Sequence, residues 1–134
     1  MTHRSDLVKR ADALWRQIVR EMFEGMCARC HKPGWEAHHV IRNRYLATRW
    51  ALMNGIFLCT DCHCIVQLSL SAEQAVLDRY SAYRDWNYET KLDRSHLAGT
   101  TDPAIVVTIR ELGSTLKQIR AVRLFPRPSA SVQP

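Results

Sequence analysis

Four cysteines arranged as two C-x-x-C pairs constrain this chain more than any other feature. Cys27 and Cys30 form the first pair, Cys59 and Cys62 form the second, and 28 residues lie between the pairs. Each pair places two thiolates on one tight turn, and two such turns supply the four sulfur ligands of a tetrahedral Zn²⁺ site. Because that coordination leaves no open position, the spacing predicts a structural zinc ion that fixes both ends of the intervening segment.

Two other interpretations of the cysteine pairs stay open, namely redox-active motifs and buried free thiols. A redox C-x-x-C motif typically lies beside a β-α-β pattern, and no such pattern surrounds these pairs. In a reducing compartment, cysteines at this spacing favour metal over disulfide. Cys64 follows the second pair, and we expect it to be a small buried apolar residue rather than a ligand.

The charge of the chain favours a polyanionic partner. The 134 residues carry a formal net charge of +6, and arginine supplies 15 of the 19 basic side chains. Guanidinium groups bind phosphate through paired N–H donors and stay protonated, so nucleic acid is the partner that this composition favours. A basic, solvated surface without a partner is the alternative.

The hydropathy pattern predicts a cytoplasmic protein with no membrane partner. No stretch is long and apolar enough to cross a bilayer. Charged residues also occupy the N-terminal positions where a signal peptide has its apolar segment.

Helical segments flank the cysteine-rich part of the chain. Residues 4–25 place apolar side chains at helical spacing, and residues 71–125 contain two more such segments, at 71–88 and 102–121. Ser71 is placed to cap the first of these. We expect one domain over residues 1–125, with a zinc-framed segment at 26–70, and a disordered, polar, proline-rich tail at 126–134.

The segment between the cysteine pairs contains two predicted strands and two adjacent histidines. Residues 36–41 and 55–58 have the composition of short strands, and the chain can turn into a helix after Cys62. His38 and His39 lie in the first strand, where neighbouring side chains point to opposite faces. The segment therefore reads strand–loop–strand–helix, with a cysteine pair at each end.

This arrangement resembles the ββα-metal nucleases known as HNH endonucleases. The motif consists of His39, Asn54 and His63, and it is most similar to phage-type and recombination-associated members in which two C-x-x-C zinc knuckles frame the active site. The resemblance covers about residues 27–67. It implies a small zinc-stapled ββα-metal core. Together with the N-terminal helix and the two C-terminal helices that the apolar spacing predicts, the expected fold is α+β and mainly helical.

The resemblance also implies a role for each motif residue. His39 matches the general base that takes a proton from the attacking water, and Asn54 matches the asparagine that fixes the loop and so orients the base. His38 and His63 match the ligands of a catalytic divalent ion, for which we expect Mg²⁺ or Mn²⁺ ahead of other transition metals. Many relatives carry a further histidine one helical turn after His63. Here that position is Gln67, which we expect to be at most a weak ligand.

The implied activity is metal-dependent hydrolysis of DNA phosphodiester bonds. Arg42, Arg44 and Arg49 lie on the connection between the two strands, where their side chains can bind flanking phosphates. DNA is therefore the expected partner, and the family resemblance suggests a homodimer or a larger phage-type assembly. The alternative function is a non-catalytic zinc-containing module that binds nucleic acid or a protein.

Overall fold

A computed structural model describes residues 3–123. Six helices and two strands follow one another in the order α1 (His3–Met22), β1 (Glu36–His39), α2 (Leu46–Arg49), β2 (Gly55–Leu58), α3 (Thr60–Leu68), α4 (Leu70–Leu77), α5 (Ser81–Leu92) and α6 (Asp102–Arg123), with short 3-10 turns at Leu52–Asn54 and Arg94–Leu97. The predicted α+β, mainly helical class is confirmed. The expected tail at 126–134 lies outside the described residues.

The two strands pair antiparallel, with Glu36 opposite Leu58 and His39 opposite Gly55. All four residues of β2 are buried. One residue, Cys59, separates β2 from α3, and its Sγ accepts a hydrogen bond from the Cys62 amide at 3.4 Å as the N-cap of that helix. The second cysteine pair therefore lies at the junction of β2 and α3.

A first core forms where α1 packs against α6. The long apolar stripe of α1 is buried there, including Trp15 at 1% exposure and Ile18 at 0%, and each such side chain contributes on the order of 2–3 kcal/mol. Arg4 of α1 also contacts the Asp102 carboxylate at the start of α6. Ala37 of β1 and Phe57 of β2 pack in the same core, so α1 and α6 cover one face of the sheet.

A second core surrounds the cysteines. Val76, Leu77 and Tyr83 of α4 and α5 pack there with Ile56 and Leu58 of β2. The predicted helix at 71–88 is in fact two helices, because α4 ends at Leu77 and α5 begins at Ser81.

Two finer predictions about this region are wrong. The N-cap of α4 is Ser69 rather than Ser71, since the Ser69 side chain accepts a hydrogen bond from the Ala72 amide at 3.2 Å. Cys64 is exposed rather than buried. It lies two residues after Cys62 on α3, and a rotation of about 200° turns it away from the cluster.

No helix between residues 3 and 123 is long and apolar enough to cross a membrane.

Candidate metal centre and histidine cleft

The four cysteines of the two C-x-x-C pairs converge on one point. The Sγ atoms of Cys27, Cys30, Cys59 and Cys62 all lie within 4.8 Å of one another, and those of Cys30 and Cys59 are 3.7 Å apart. Four thiolates at about 2.3 Å from a zinc ion in tetrahedral geometry would be separated by about 3.8 Å. The cysteine cluster therefore fits a structural metal ion such as Zn²⁺.

Local backbone geometry prepares the first pair for a metal. The Sγ of Cys27 accepts hydrogen bonds from the amides of Arg29 and Cys30 at 3.4 and 3.5 Å. The turn closes through His31, whose φ of 63° is left-handed. Amide donors of this kind favour the thiolate, which is the form that binds zinc.

The surroundings of the cluster favour the thiolate form of one cysteine and disfavour that of another. Burial opposes ionisation of Cys27, but the amide hydrogen bonds outweigh it and lower its pKa to about 7. Burial raises the pKa of Cys62 to about 12, although the Arg29 guanidinium 3.6 Å from its Sγ opposes this shift. A divalent cation would deprotonate such thiols on binding.

The three histidines predicted for the site line one open cavity of about 520 Å³. His38 and His39 enter it from β1, and His63 enters it from α3. The remaining lining residues are Ala37, Val40, Arg42, Asn43, Arg44, Val66, Gln67, Leu70 and Glu73. We call this cavity the histidine cleft.

His39 is held by contacts on its ring face and at one nitrogen. Its ring stacks on Trp15 of α1 with centroids 4.0 Å apart and an interplanar angle of 9°. Its Nε2 lies 2.9 Å from the Arg49 carbonyl oxygen, so that nitrogen carries the proton and donates it. In the described part of the chain its Nδ1 makes no hydrogen bond and is not enclosed. Nδ1 is therefore a lone-pair acceptor that solvent can reach.

The environment of His39 keeps its imidazole neutral near pH 7. Burial lowers its pKa to about 4, although the hydrogen bond to the Arg49 carbonyl works in the opposite direction. A proton acceptor must be unprotonated at the working pH, and His39 meets that requirement, but a pKa of about 4 also makes it a weaker base than an imidazole with the ordinary value of 6.5.

Asn54 is fully buried and fastens the loop that follows β1. Its Oδ1 accepts a hydrogen bond from the Ile41 amide at 2.7 Å. Its Nδ2 donates to the carbonyls of Ile41 and Thr48 at 3.0 and 3.1 Å. The next residue on the chain after Thr48 is Arg49, whose carbonyl holds His39. The amide of Asn54 thus supports the loop on which the His39 contact depends.

His38 and His63 each have a carboxylate partner at one ring nitrogen. Nε2 of His38 lies 2.7 Å from Oε2 of Glu73, and Nδ1 of His63 lies 2.8 Å from Oε2 of Glu36. The two rings are edge to face, with centroids 5.2 Å apart. The other nitrogen of each ring is not enclosed and makes no hydrogen bond to residues 3–123. Metal-binding histidines commonly show this pattern of one nitrogen on a carboxylate and one free.

The donor set for a catalytic ion is sparse. Gln67 lines the cleft but is exposed. Within residues 3–123, the cysteine cluster is the only group of three or more closely spaced His, Cys, Asp or Glu ligand atoms. Two imidazole nitrogens are therefore the protein ligands that the cleft offers, and they fit an ion that keeps several water or substrate ligands.

The three predicted arginines do not share one environment. Arg42 and Arg44 are exposed and line the cleft, and Arg44 also stacks over the Tyr45 ring at 4.9 Å. Arg49 instead donates to both carboxylate oxygens of Asp12 at 2.8 and 2.7 Å and to the Asn43 carbonyl at 2.9 Å. Its guanidinium is occupied within the protein, so we assign it a structural role instead of the predicted DNA contact.

Sequence reasoning missed the residues that hold the motif from outside it. Trp15 and Asp12 are three residues apart on α1 and reach His39 and the loop. Burial opposes ionisation of Asp12, yet hydrogen bonds from Arg49 and Trp50 hold the pKa of its carboxyl below the usual value. In the sequence, the signal for Asp12 was a carboxylate directly next to the apolar stripe of α1. Gly55 allows this packing, because a Cβ there would lie 2.6 Å from Trp15.

Comparisons with known protein families, with curated proteins and with solved structures found no match to this chain.

Proposed function

We propose that this protein is a metal-dependent endonuclease of the HNH type that hydrolyses DNA phosphodiester bonds. The observation that carries the proposal is the histidine cleft, where three imidazoles line one cavity and each has one nitrogen that makes no hydrogen bond to residues 3–123. His38, His39 and His63, which the resemblance singled out, line the same cavity, and Asn54 supports the loop whose Arg49 carbonyl holds His39.

His39 has the features of a general base in this proposal. The proton on Nε2 is committed to the Arg49 carbonyl, so Nδ1 is free to accept a proton from an attacking water. The stack on Trp15 and the hydrogen bond to the Arg49 carbonyl together favour one orientation of the ring. General-base catalysis of this kind contributes about 10²–10⁴-fold to the rate.

His38 and His63 would hold the catalytic ion, with Gln67 beside them. The ion would supply Lewis-acid stabilisation of charge on the scissile phosphate and the leaving oxygen. His38 and His39 alternate along β1, so the ion-binding group and the base approach the cleft from different directions. Arg42 and Arg44 would bind the flanking phosphates.

A plasmid-nicking assay tests this function. Purified protein is incubated with supercoiled plasmid and Mg²⁺ or Mn²⁺, and open circles are counted over time. We expect His39→Ala to lower the rate by about 10²–10⁴-fold. His3→Ala, at an exposed position on α1, is the matched control and should cut like wild type. Equal rates for His39→Ala and wild type would refute the catalytic role.

A second function is favoured by the sparse donor set of the cleft. With only the cysteine cluster offering three close ligand atoms between residues 3 and 123, the chain also suits a zinc-containing module that binds nucleic acid or a protein without cutting. Salt-dependent DNA binding without cleavage in any divalent ion would identify this function.

A further inference from the structure

We propose that Glu73 is the residue that positions His38 for cation binding. Glu73 lies in the first turn of α4, outside the strand–strand–helix unit that carries the motif. Its side chain lines the histidine cleft but is largely buried, and its Oε2 is 2.7 Å from Nε2 of His38. The inference rests on the proposed function, since it concerns the same cleft.

The contact is unusual in its isolation. Within residues 3–123, the imidazole of His38 is the only side chain that bonds the Glu73 carboxylate. A buried carboxylate costs several kcal/mol of desolvation unless its oxygens are hydrogen-bonded. An apolar residue would fill the same volume without that cost, so packing alone does not explain a glutamate at this position.

The carboxylate selects one tautomer of His38. With the proton of Nε2 shared with Glu73, the lone pair is on Nδ1, which is the nitrogen left unbonded. His63 shows the same arrangement with the two nitrogens exchanged. Glu36 bonds its Nδ1, so the lone pair is on Nε2. Each imidazole is thus held in the tautomer that offers its unbonded nitrogen to an ion.

Glu73 also offsets the weak position at Gln67. The helix α3 brings one imidazole, His63, and an exposed glutamine one turn later. A carboxylate on the far nitrogen of a ligating histidine raises the basicity of the near nitrogen. Glu73 of α4 thus strengthens His38 of β1 as a ligand, which offsets the absence of a second histidine on α3.

Imidazole nitrogen NMR reports the tautomer directly. In zinc-loaded protein without other divalent ions, we expect the ¹⁵N shifts of His38 to show the Nε2–H tautomer. Glu73→Ala should give a mixture of tautomers, whereas the amide oxygen of Glu73→Gln can still accept the hydrogen bond and should preserve one form. An Nδ1–H tautomer in wild type would overturn the proposal.

Mn²⁺ titration by calorimetry measures the consequence for ion binding. Glu73→Ala should weaken binding by about 10–100-fold, and Glu73→Gln should recover most of that loss. Gln74→Ala, at an exposed neighbouring position on α4, should bind like wild type. Unchanged binding in Glu73→Ala would overturn the proposal, as would an equal loss in Glu73→Gln, which would make the carboxylate itself a ligand.

Neither readout depends on DNA cleavage. A wild-type protein that nicks no plasmid but shows the expected tautomer and Mn²⁺ responses would refute the nuclease while supporting the role of Glu73.

Discussion

The cysteine cluster and the histidine cleft use their ligand atoms in opposite ways. The four sulfurs of the cluster face one another within 4.8 Å, so a bound ion would have no free coordination position. In the cleft, the protein holds each imidazole at one nitrogen, and the other nitrogen has no hydrogen-bond partner in the part of the chain that the structure describes. The comparison teaches that this chain has one closed cluster of ligand atoms and one open cleft beside the same small sheet. The proposed function would give the structural task to the cluster and the chemical task to the cleft.

Loss of a cluster cysteine should have the largest effect, because the cluster fixes both ends of the cleft-forming segment. Zinc binding to such a site contributes on the order of 10 kcal/mol to folding, which is comparable to the whole stability of a domain. Cys62→Ser should abolish stoichiometric zinc and the cooperative thermal transition, as measured by metal analysis and circular dichroism. Exposed Cys64→Ser is the control and should change neither.

Asn54→Ala should destabilise the cleft side while leaving the zinc in place. The substitution removes three hydrogen bonds to buried backbone groups, at a cost of about 3 kcal/mol in free energy of unfolding. Urea denaturation of zinc-loaded protein measures this loss, with exposed Asn43→Ala as the control. A loss below about 0.5 kcal/mol would show that the loop is held by other contacts.

Acid should weaken the cleft through His39. The folded-state pKa of His39 is lowered to about 4 from 6.5, so the unfolded chain binds more protons between these values. Stability from this group is thus fully present above pH 6.5 and is lost as the pH falls toward 4. After allowance for solvent screening, the loss is about 2 kcal/mol.

Urea unfolding at several pH values, compared with His39→Gln, isolates that contribution. The difference in stability between the two proteins should change between pH 6.5 and 4. A constant difference would contradict the assigned environment of His39.

The smallest predicted effect concerns the turn of the first cysteine pair. His31 is exposed and has a φ of 63°, a conformation that glycine adopts without steric cost. His31→Gly should stabilise the zinc-loaded protein by about 0.5 kcal/mol. Thermal unfolding beside exposed Lys9→Gly, inside α1 where glycine destabilises a helix, gives a contrast of opposite sign.

The sequence was enough to predict the fold class and the convergence of the cysteines, because local spacing encodes both. The two C-x-x-C pairs define ligands by separation alone, and the strand pattern located His38 and His39. The ends of the helices were less certain, since Ser69 and Ser71 are equally good caps by composition.

The contacts that orient the cleft could not be predicted in this way. Glu73 reaches His38 across 35 residues of sequence, and Asp12 reaches Arg49 across 37. Neither pairing has a local pattern, because each depends on how α1 and α4 pack against the sheet. Arg49 is an example. Its position in the sequence predicted a phosphate contact, whereas in the structure its guanidinium donates hydrogen bonds to the Asp12 carboxylate.

Counting the two kinds of bound metal tests the central contrast most directly. Wild-type protein should retain one zinc per chain through dialysis and bind one further, exchangeable Mn²⁺ in calorimetry. His63→Ala should keep the zinc and lose the Mn²⁺ site. Absence of stoichiometric zinc, or Mn²⁺ binding that His63→Ala leaves unchanged, would contradict the division into a closed structural site and an open cleft.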